Sequence, residues 1–177
     1  MNADQVADVL GTLATFSAVV VVATAVIAVV ARPQILRLRA TIAGSGRLLA
    51  LCVALVATIG SLWFSEGAHF PPCKWCWYQR IAMYPLVVLL GLGAVRRDAA
   101  VRLYGVTIAG IGLLASAWHN VMETFPGFGG GGCDPTNPCT IRWVEGLGFW
   151  TIPRMAAAAF ALILTLLLLD NDPLEQT

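Results

Sequence analysis

Two cysteine pairs are the residues of this sequence best suited to chemistry. The first is Cys73-Lys-Trp-Cys76, and the second is Cys133-Asp-Pro-Thr-Asn-Pro-Cys139. A Cys-x-x-Cys at the start of a helix is typical of redox-active pairs, because unpaired backbone N–H groups and the helix macrodipole stabilise the second thiolate. The five-residue spacing of the second pair closes a small ring. We expect both pairs to persist as disulfides in an oxidising compartment.

Other interpretations of the cysteines stay open. The Cys73/Cys76 pair could be a static disulfide or half of a zinc site, and the Cys133/Cys139 pair could be a loop staple. Against one zinc site, the second pair lacks the tight spacing of a zinc knuckle. The fifth cysteine, Cys52, lies in an apolar run and is predicted to be a small buried hydrophobic residue.

A glycine-rich segment precedes the second pair. Five glycines occupy the six residues between Pro126 and Cys133. Such a segment costs little to bend, so it would let the second pair move between an outside partner and the first pair.

Composition shows what kind of elements must hold these cysteines. Of 177 residues, 58% are hydrophobic and 12% charged, and the mean hydropathy is +0.77. A soluble domain carries roughly a quarter charged residues, so a soluble enzyme and a disordered chain are excluded. The net charge of +1 excludes a nucleic-acid partner, since that needs a basic face. The composition therefore predicts an all-α integral membrane protein that is surrounded mostly by lipid.

Five stretches are apolar enough to cross a membrane, which takes about 20 residues as a helix. Two of them include an arginine behind interfacial aromatic residues, and we expect Arg154 to reach outward past Trp150. Residues 1–8 contain two aspartates and no basic residue, so no signal peptide is expected. The predicted spans are 9–31, 48–64, 76–95, 103–121 and 147–169.

Basic residues predict the orientation of the spans, because short cytoplasmic loops are enriched in lysine and arginine. The loops after spans one and three are therefore predicted to be cytoplasmic. The N-terminus and both cysteine-bearing loops then face outward, and the acidic tail from Asp170 lies inside. The basic residues of these two loops are Arg32, Arg37, Arg39, Arg47, Arg96, Arg97 and Arg102.

Two further elements are predicted around the site. Small residues recur in the fourth span and predict close helix contact; they are Gly105, Ala109, Gly112 and Ser116. Residues 141–147 are predicted to form a short surface helix that places Cys139 above the first pair.

Two segments resemble the disulfide bond formation protein B family in its BdbC-type branch. They are Cys73-Lys-Trp-Cys76-Trp-Tyr-Gln-Arg80-Ile-Ala-Met-Tyr-Pro85 and Cys139-Thr-Ile-Arg-Trp-Val-Glu-Gly-Leu-Gly-Phe-Trp-Thr-Ile-Pro153. The resemblance covers about residues 48–169. Four spans are expected to form an antiparallel bundle, with the first span added at its periphery. We expect three parts: an extra N-terminal transmembrane helix with a cytoplasmic loop (1–47), the four-helix redox bundle (48–169) and a cytoplasmic tail (170–177).

The resemblance implies a membrane thiol:quinone oxidoreductase of the bacterial cytoplasmic membrane. It would reoxidise an extracytoplasmic thioredoxin-fold (DsbA-like) dithiol oxidase and pass the electrons to ubiquinone or menaquinone. Carried over by position, Cys133 accepts the mixed disulfide with the partner, Cys139 relays to Cys73, and Cys76 faces the quinone beside Arg80. His119 resembles the family's histidine close to the quinone. No metal is predicted.

The residue chemistry supports this assignment. Cys76 and Arg80 are four apart and share a helix face, so the guanidinium could stabilise both a thiolate and a reduced quinone's oxyanion. Arg80 could instead be an interfacial anchor, and His119 a satisfied interfacial histidine. Glu123 could hold the imidazole or be solvated. Gln79 stands where some relatives have Glu, which speaks against a proton relay there.

Two alternative functions remain from the sequence. One is a quinone reductase similar to vitamin K epoxide reductase, which is disfavoured because its Cys-x-x-Cys normally lies at the end of a late span. The other is a non-enzymatic assembly factor that binds metal through four thiolates.

Overall fold

The computed structural model describes residues 2–96, 98, 100–128 and 133–170. Within these residues, five helical segments are long and apolar enough to cross a membrane, the second of them running from Gly46 to Gly67, so the prediction of five spans is confirmed. A π-helical turn, Trp63–Gly67, extends the third helix, and a 3-10 turn, Pro126–Phe128, follows the fifth. The helices are α1 (Ala3–Val30), α2 (Arg32–Ile42), α3 (Gly46–Leu62), α4 (Lys74–Arg96), α5 (Ala100–Thr124) and α6 (Ile152–Leu169).

Four of the spans form a closed bundle. Helices α3, α4, α5 and α6 pack in order around a ring, and α6 returns to contact α3. The centre is filled by aliphatic side chains and by Phe160, which is fully buried. Gly112 lies so close to the Phe160 ring that a Cβ there would overlap it. All four small residues of α5 named above are buried, so the prediction of close contact is confirmed.

Helix α1 packs on the outside of this bundle, mainly against α6. Two hydrogen bonds hold its N-terminal half: Leu147 N–H donates to Asp8 Oδ1 at 2.8 Å, and Trp150 Nε1 donates to Thr15 Oγ1 at 2.7 Å. A side chain on Gly146 would overlap the backbone of Ala7. The first span is therefore peripheral, as predicted, and is fixed at the cysteine-bearing end.

The segment before α6 differs from the prediction. Residues 141–147 form no helix, and α6 begins at Ile152 rather than near residue 147. Leu147 and Gly148 adopt positive φ values of 53° and 69°, which no right-handed helix accommodates. Gly146 and Trp150 instead pair as an antiparallel bridge that closes a tight turn. Thr151 then adopts an extended conformation and precedes the first turn of α6, which contains Pro153.

The opposite end of the bundle also departs from the predicted loops. The loop predicted after the first span contains α2, none of whose residues is buried. Arg47 belongs to α3 and is buried, with its Nε 3.2 Å from an Asp170 carboxylate oxygen. Asp170, the first residue of the predicted tail, is likewise buried. Arg97 and the remaining tail, 171–177, lie outside the described residues.

Candidate active site

Both cysteine pairs lie at one end of the bundle. Cys133 and Cys139 form a disulfide, which confirms that predicted pair. The first pair differs from the expected disulfide, because Cys73 and Cys76 are free thiols whose sulfur atoms are 2.7 Å apart. Cys73 and Cys139 are both buried and share a cluster with Met122. The fold therefore brings together the two pairs that the sequence separates; the glycines at 129–132, predicted to be a flexible tether, lie outside the described residues.

The start of α4 positions the first pair. Because the helix begins at Lys74, Cys73 is the residue just before it, and the Cys76 N–H points to Cys73 Sγ at 3.3 Å. The pKa of Cys73 is lowered to about 4, mainly because the Cys76 thiol donates a hydrogen bond to Cys73 Sγ and, to a smaller extent, because His119 contacts the same sulfur. The motif predicts a backbone donor for the second thiolate, but in the structure the first thiolate receives it because α4 starts two residues earlier than predicted.

A buried histidine bridges the two pairs. His119 Nε2 lies 3.0 Å from the Cys139 carbonyl oxygen and 3.6 Å from Cys73 Sγ. A carbonyl only accepts, so Nε2 carries the proton and Nδ1 accepts from the Gln79 amide at 2.9 Å. His119 thus contacts the residues between which a disulfide would be relayed.

Arg80 is held in a defined orientation by α3. Its Nε donates to Ser61 Oγ at 3.0 Å and its Nη2 to the Ser61 carbonyl at 2.9 Å. The guanidinium also lies over the Trp77 ring, 5.4 Å from its centroid. This two-point contact fixes the plane of the fork, which a flexible interfacial anchor would not require.

A half-open apolar cavity of about 330 Å³ begins at these residues. Cys76, Gln79 and Arg80 line its polar part, and α1, α3 and α6 supply most of its apolar part. Cys52 also lines it and is exposed on the surface of α3, so the prediction of a buried Cys52 was wrong. An apolar residue facing lipid and one facing the core look alike in sequence, because both surroundings exclude water. The cavity lining includes Arg80 and Cys76 on one helix face, as their spacing predicted.

Glu123 takes neither of its predicted roles. It is buried, and its Oε1 lies 3.2 Å from Arg142 Nε and 3.9 Å from Arg154 Nη2. Arg154 also donates to the Phe149 carbonyl at 2.7 Å and covers that ring at 4.6 Å. Arg154 thus reaches toward the aromatic interface, and Glu123 anchors the segment that follows Cys139.

Two site residues were missed or undervalued by sequence reasoning. Ser61 belongs to a different helix, and nothing in the sequence pairs it with Arg80. The sequence suggests for Gln79 only a doubtful proton relay, whereas in the structure Gln79 is buried, orients His119 and lines the cavity. Its position three residues after Cys76 was the available signal, because that spacing shares a helix face.

The first pair and His119 also form a possible metal-ligand set. One donor atom from each of Cys73, Cys76 and His119 lies within 4.8 Å of the others. The sulfur separation of 2.7 Å is shorter than the roughly 3.7 Å that two thiolates on a tetrahedral zinc ion would show with Zn–S bonds of about 2.3 Å. The geometry therefore favours a dithiol that can close to a disulfide.

A helical membrane bundle with two adjoining cysteine pairs at one end defines a membrane protein for thiol–disulfide exchange. The family model described as disulfide bond formation protein DsbB matches residues 43–169. The chain therefore belongs to the DsbB family, in agreement with the resemblance noted from its motifs.

Curated relatives carry matching names. The chain is 45% identical over 113 residues to disulfide bond formation protein C of Bacillus subtilis, covering 63% of this chain and 82% of that protein. It is 43% identical over 118 residues to a probable disulfide formation protein of Oceanobacillus iheyensis, covering 66% and 81%. No solved structure matches the chain. Helices α1 and α2 precede the segment that the family model matches.

Proposed function

We propose that this protein is a thiol:quinone oxidoreductase that reoxidises an extracytoplasmic thioredoxin-fold dithiol oxidase. Its coarser class, a disulfide-forming membrane oxidoreductase, follows from family membership. The observation that carries the finer proposal is the continuous arrangement of Cys139, Cys73 and Cys76, with Cys76 opening onto a cavity that Arg80 also lines.

The exchange steps on this chain's cysteines balance. A thiolate of the reduced partner attacks Cys133, which breaks the Cys133–Cys139 bond and releases the Cys139 thiolate. The partner's second thiol then displaces Cys133, so the partner leaves oxidised and this pair is a dithiol. Cys139 next attacks Cys73 of the oxidised first pair and releases Cys76. Attack of Cys133 on Cys139 then restores the second disulfide and leaves Cys73 and Cys76 reduced.

His119 and the α4 N-terminus favour these steps at Cys73. A Cys73 pKa lowered to about 4 makes this thiol a good leaving group when Cys133 displaces it. His119 Nε2–H stabilises the departing thiolate and at the same time holds the Cys139 backbone. We propose these as positioning and charge-stabilising roles.

The cavity fits a membrane quinone, because it is apolar along α1, α3 and α6 and has a fixed cationic donor at Arg80. A bound quinone would accept two electrons, and with two protons it would become a hydroquinone. Arg80 and Gln79 would hold the quinone oxygen, and Cys76 would face the ring. The prediction that His119 contacts the quinone remains a proposal; His119 lines a second, smaller cavity together with Cys73.

The proposed setting is the bacterial cytoplasmic membrane, with the cysteine-bearing end outside. The basic residues Arg39, Arg47 and Arg102 contact the C-terminal end of α6, at the opposite end of the bundle. Arginine-rich short loops favour the cytoplasmic side.

The decisive experiment is coupled turnover in proteoliposomes. Reduced thioredoxin-fold dithiol oxidase and a short-chain ubiquinone or menaquinone are added, and hydroquinone is followed by absorbance. We expect one hydroquinone per disulfide formed, and loss of quinone reduction in Cys76→Ser. Normal turnover by Cys76→Ser would contradict the proposal, and stoichiometric zinc in the purified protein without turnover would favour the metal-binding alternative instead.

A second measurement tests the order of the relay. Cys139→Ser leaves Cys133 as a free thiol that attacks the disulfide of the oxidised partner, and this chain then lacks a resolving thiol. We expect a mixed disulfide that accumulates and that is absent in Cys133→Ser. Accumulation in Cys133→Ser and not in Cys139→Ser would reverse the assigned roles.

A further inference from the structure

We propose that α1 forms part of the quinone-binding site: its residues 10–17 contact the bound quinone and determine how tightly the quinone binds. This inference rests on the proposed quinone dependence. It gives a role to the helix that lies outside the segment shared with the family.

The lining of the cavity carries the first part of the inference. α1 contributes five residues to the cavity that Cys76 and Arg80 also line, and they are Leu10, Leu13, Ala14, Phe16 and Ser17. Ala14 and Ser17 are buried, and the Ser17 hydroxyl is satisfied by the Leu13 carbonyl at 2.8 Å. The wall therefore presents small and apolar groups with no competing polar atom, which suits a ring with an isoprenoid chain.

The attachment of α1 carries the second part. A helix held only by lipid could drift along the bundle, whereas α1 is bonded at Asp8 and Thr15 to the segment between Cys139 and α6. Leu10 packs against Gly60 of α3, where an added Cβ would come within 2.8 Å of Leu10 Cδ1. These contacts, at residues 8, 10 and 15, hold this stretch of α1 against the cavity that Cys76 also lines.

The rest of α1 shows a different character. Beyond Ser17 its side chains are exposed or half-buried, and Val19, Val22 and Val26 are more than half exposed. That part is suited to lipid contact. Only the half beside the cysteines is built into the cavity, so the two halves of one helix supply a test position and a matched control.

The first test compares Ala14→Phe with Ala23→Phe. Ala14 is buried in the cavity wall and Ala23 is exposed on the same helix. We expect Ala14→Phe to raise the KM for a short-chain quinone about tenfold, since an added ring occupies the binding space. The KM for the partner dithiol and the rate of Cys133 mixed-disulfide formation should stay at the wild-type level, and Ala23→Phe should match wild type in all three.

Equal quinone KM values in wild type, Ala14→Phe and Ala23→Phe would overturn the inference while leaving the proposed function intact. A wild-type protein that reduces no quinone would overturn the proposed function and this inference with it.

Photoaffinity labelling of the wild-type protein removes any dependence on a variant that fails to fold. The protein is irradiated with an azido-substituted short-chain quinone, digested and mapped by mass spectrometry. We expect labels within residues 10–17 as well as on α4, suppressed by excess unlabelled quinone. Labels confined to α3, α4 and α6 would show that α1 does not touch the quinone.

Discussion

Arg80 is the residue whose geometry makes the sharpest demand on chemistry. Two of its groups contact Ser61, and a lysine ammonium cannot reproduce that planar fork. We expect Arg80→Lys to raise the apparent KM for quinone on the order of tenfold to a hundredfold, because a charge-assisted hydrogen bond is worth about 1.5 to 3 kcal/mol. Steady-state quinone reduction at saturating partner dithiol checks this, with protein level and topology unchanged.

Arg154 supplies the control for that experiment. It contacts Phe149 and Glu123 and does not line the larger cavity as described. Arg154→Leu should therefore leave the quinone KM close to the wild-type value. Damage to quinone reduction by Arg154→Leu and none by Arg80→Lys would place the quinone against the other arginine.

Cys73 gives a prediction on pH. With its pKa lowered to about 4, the reduced thiol is a thiolate at neutral pH and loses reactivity only as the pH falls through that value. His119 contributes to this lowering, so His119→Ala should move the midpoint of Cys73 alkylation to higher pH. Mass spectrometry of pulse-alkylated reduced protein measures this midpoint. An unchanged midpoint would show that His119 does not stabilise the Cys73 thiolate.

The site residues predictable from sequence were those whose partners lie on the same helix or in a motif. Cys76 and Arg80 are four residues apart, so their shared face follows from helix geometry. Ser61 and the bridge from His119 to Cys139 depend on how separate helices pack, and hydrophobic runs carry no such information.

The close packing of α5 against α6 depends on Gly112. Adding a Cβ to Gly112 would overlap the fully buried Phe160 ring, whereas Gly110, on the same helix, has nothing within 4 Å of an added Cβ. We expect Gly112→Ala to lower the stability by about 1 to 3 kcal/mol, as overpacking does. Gly110→Ala should be neutral or stabilising.

Thermal unfolding of both variants in detergent provides the measurement. If the melting temperature of Gly112→Ala is equal to or higher than that of Gly110→Ala, there is room for a Cβ between Gly112 and the Phe160 ring, and the overpacking argument fails.

The elements predicted correctly were those with long apolar runs, and the errors fall on segments where local chemistry outweighs hydropathy. Residues 141–151 are rich in aromatic and aliphatic side chains, which suggested helix. Positive φ values at Leu147 and Gly148 and the contacts with α1 instead make a compact turn. The helical α2 was missed because four nearby arginines indicated only a polar loop.

The proposed orientation of the protein in the membrane predicts which cysteines can be reached from outside the cell. A thiol reagent that cannot cross membranes should label reduced Cys76 and Cys133 in intact cells, because these half-buried cysteines lie at the end assigned to the outside. Cys73 and Cys139 lie at the same end but are buried, so the test does not use them. Cys52, within the span of α3, should stay unlabelled. Labelling of Cys76 and Cys133 only after permeabilisation would reverse the orientation and the proposed compartment.

The buried pair of Arg47 and Asp170 has a consequence for synthesis of the chain. It joins the start of α3 to the residue after α6, and α6 also closes the ring against α3. A ribosome makes the two halves of this contact 123 residues apart. The nascent protein therefore carries Arg47 without this carboxylate until α6 has been made, and the ring of four helices can close only after that point.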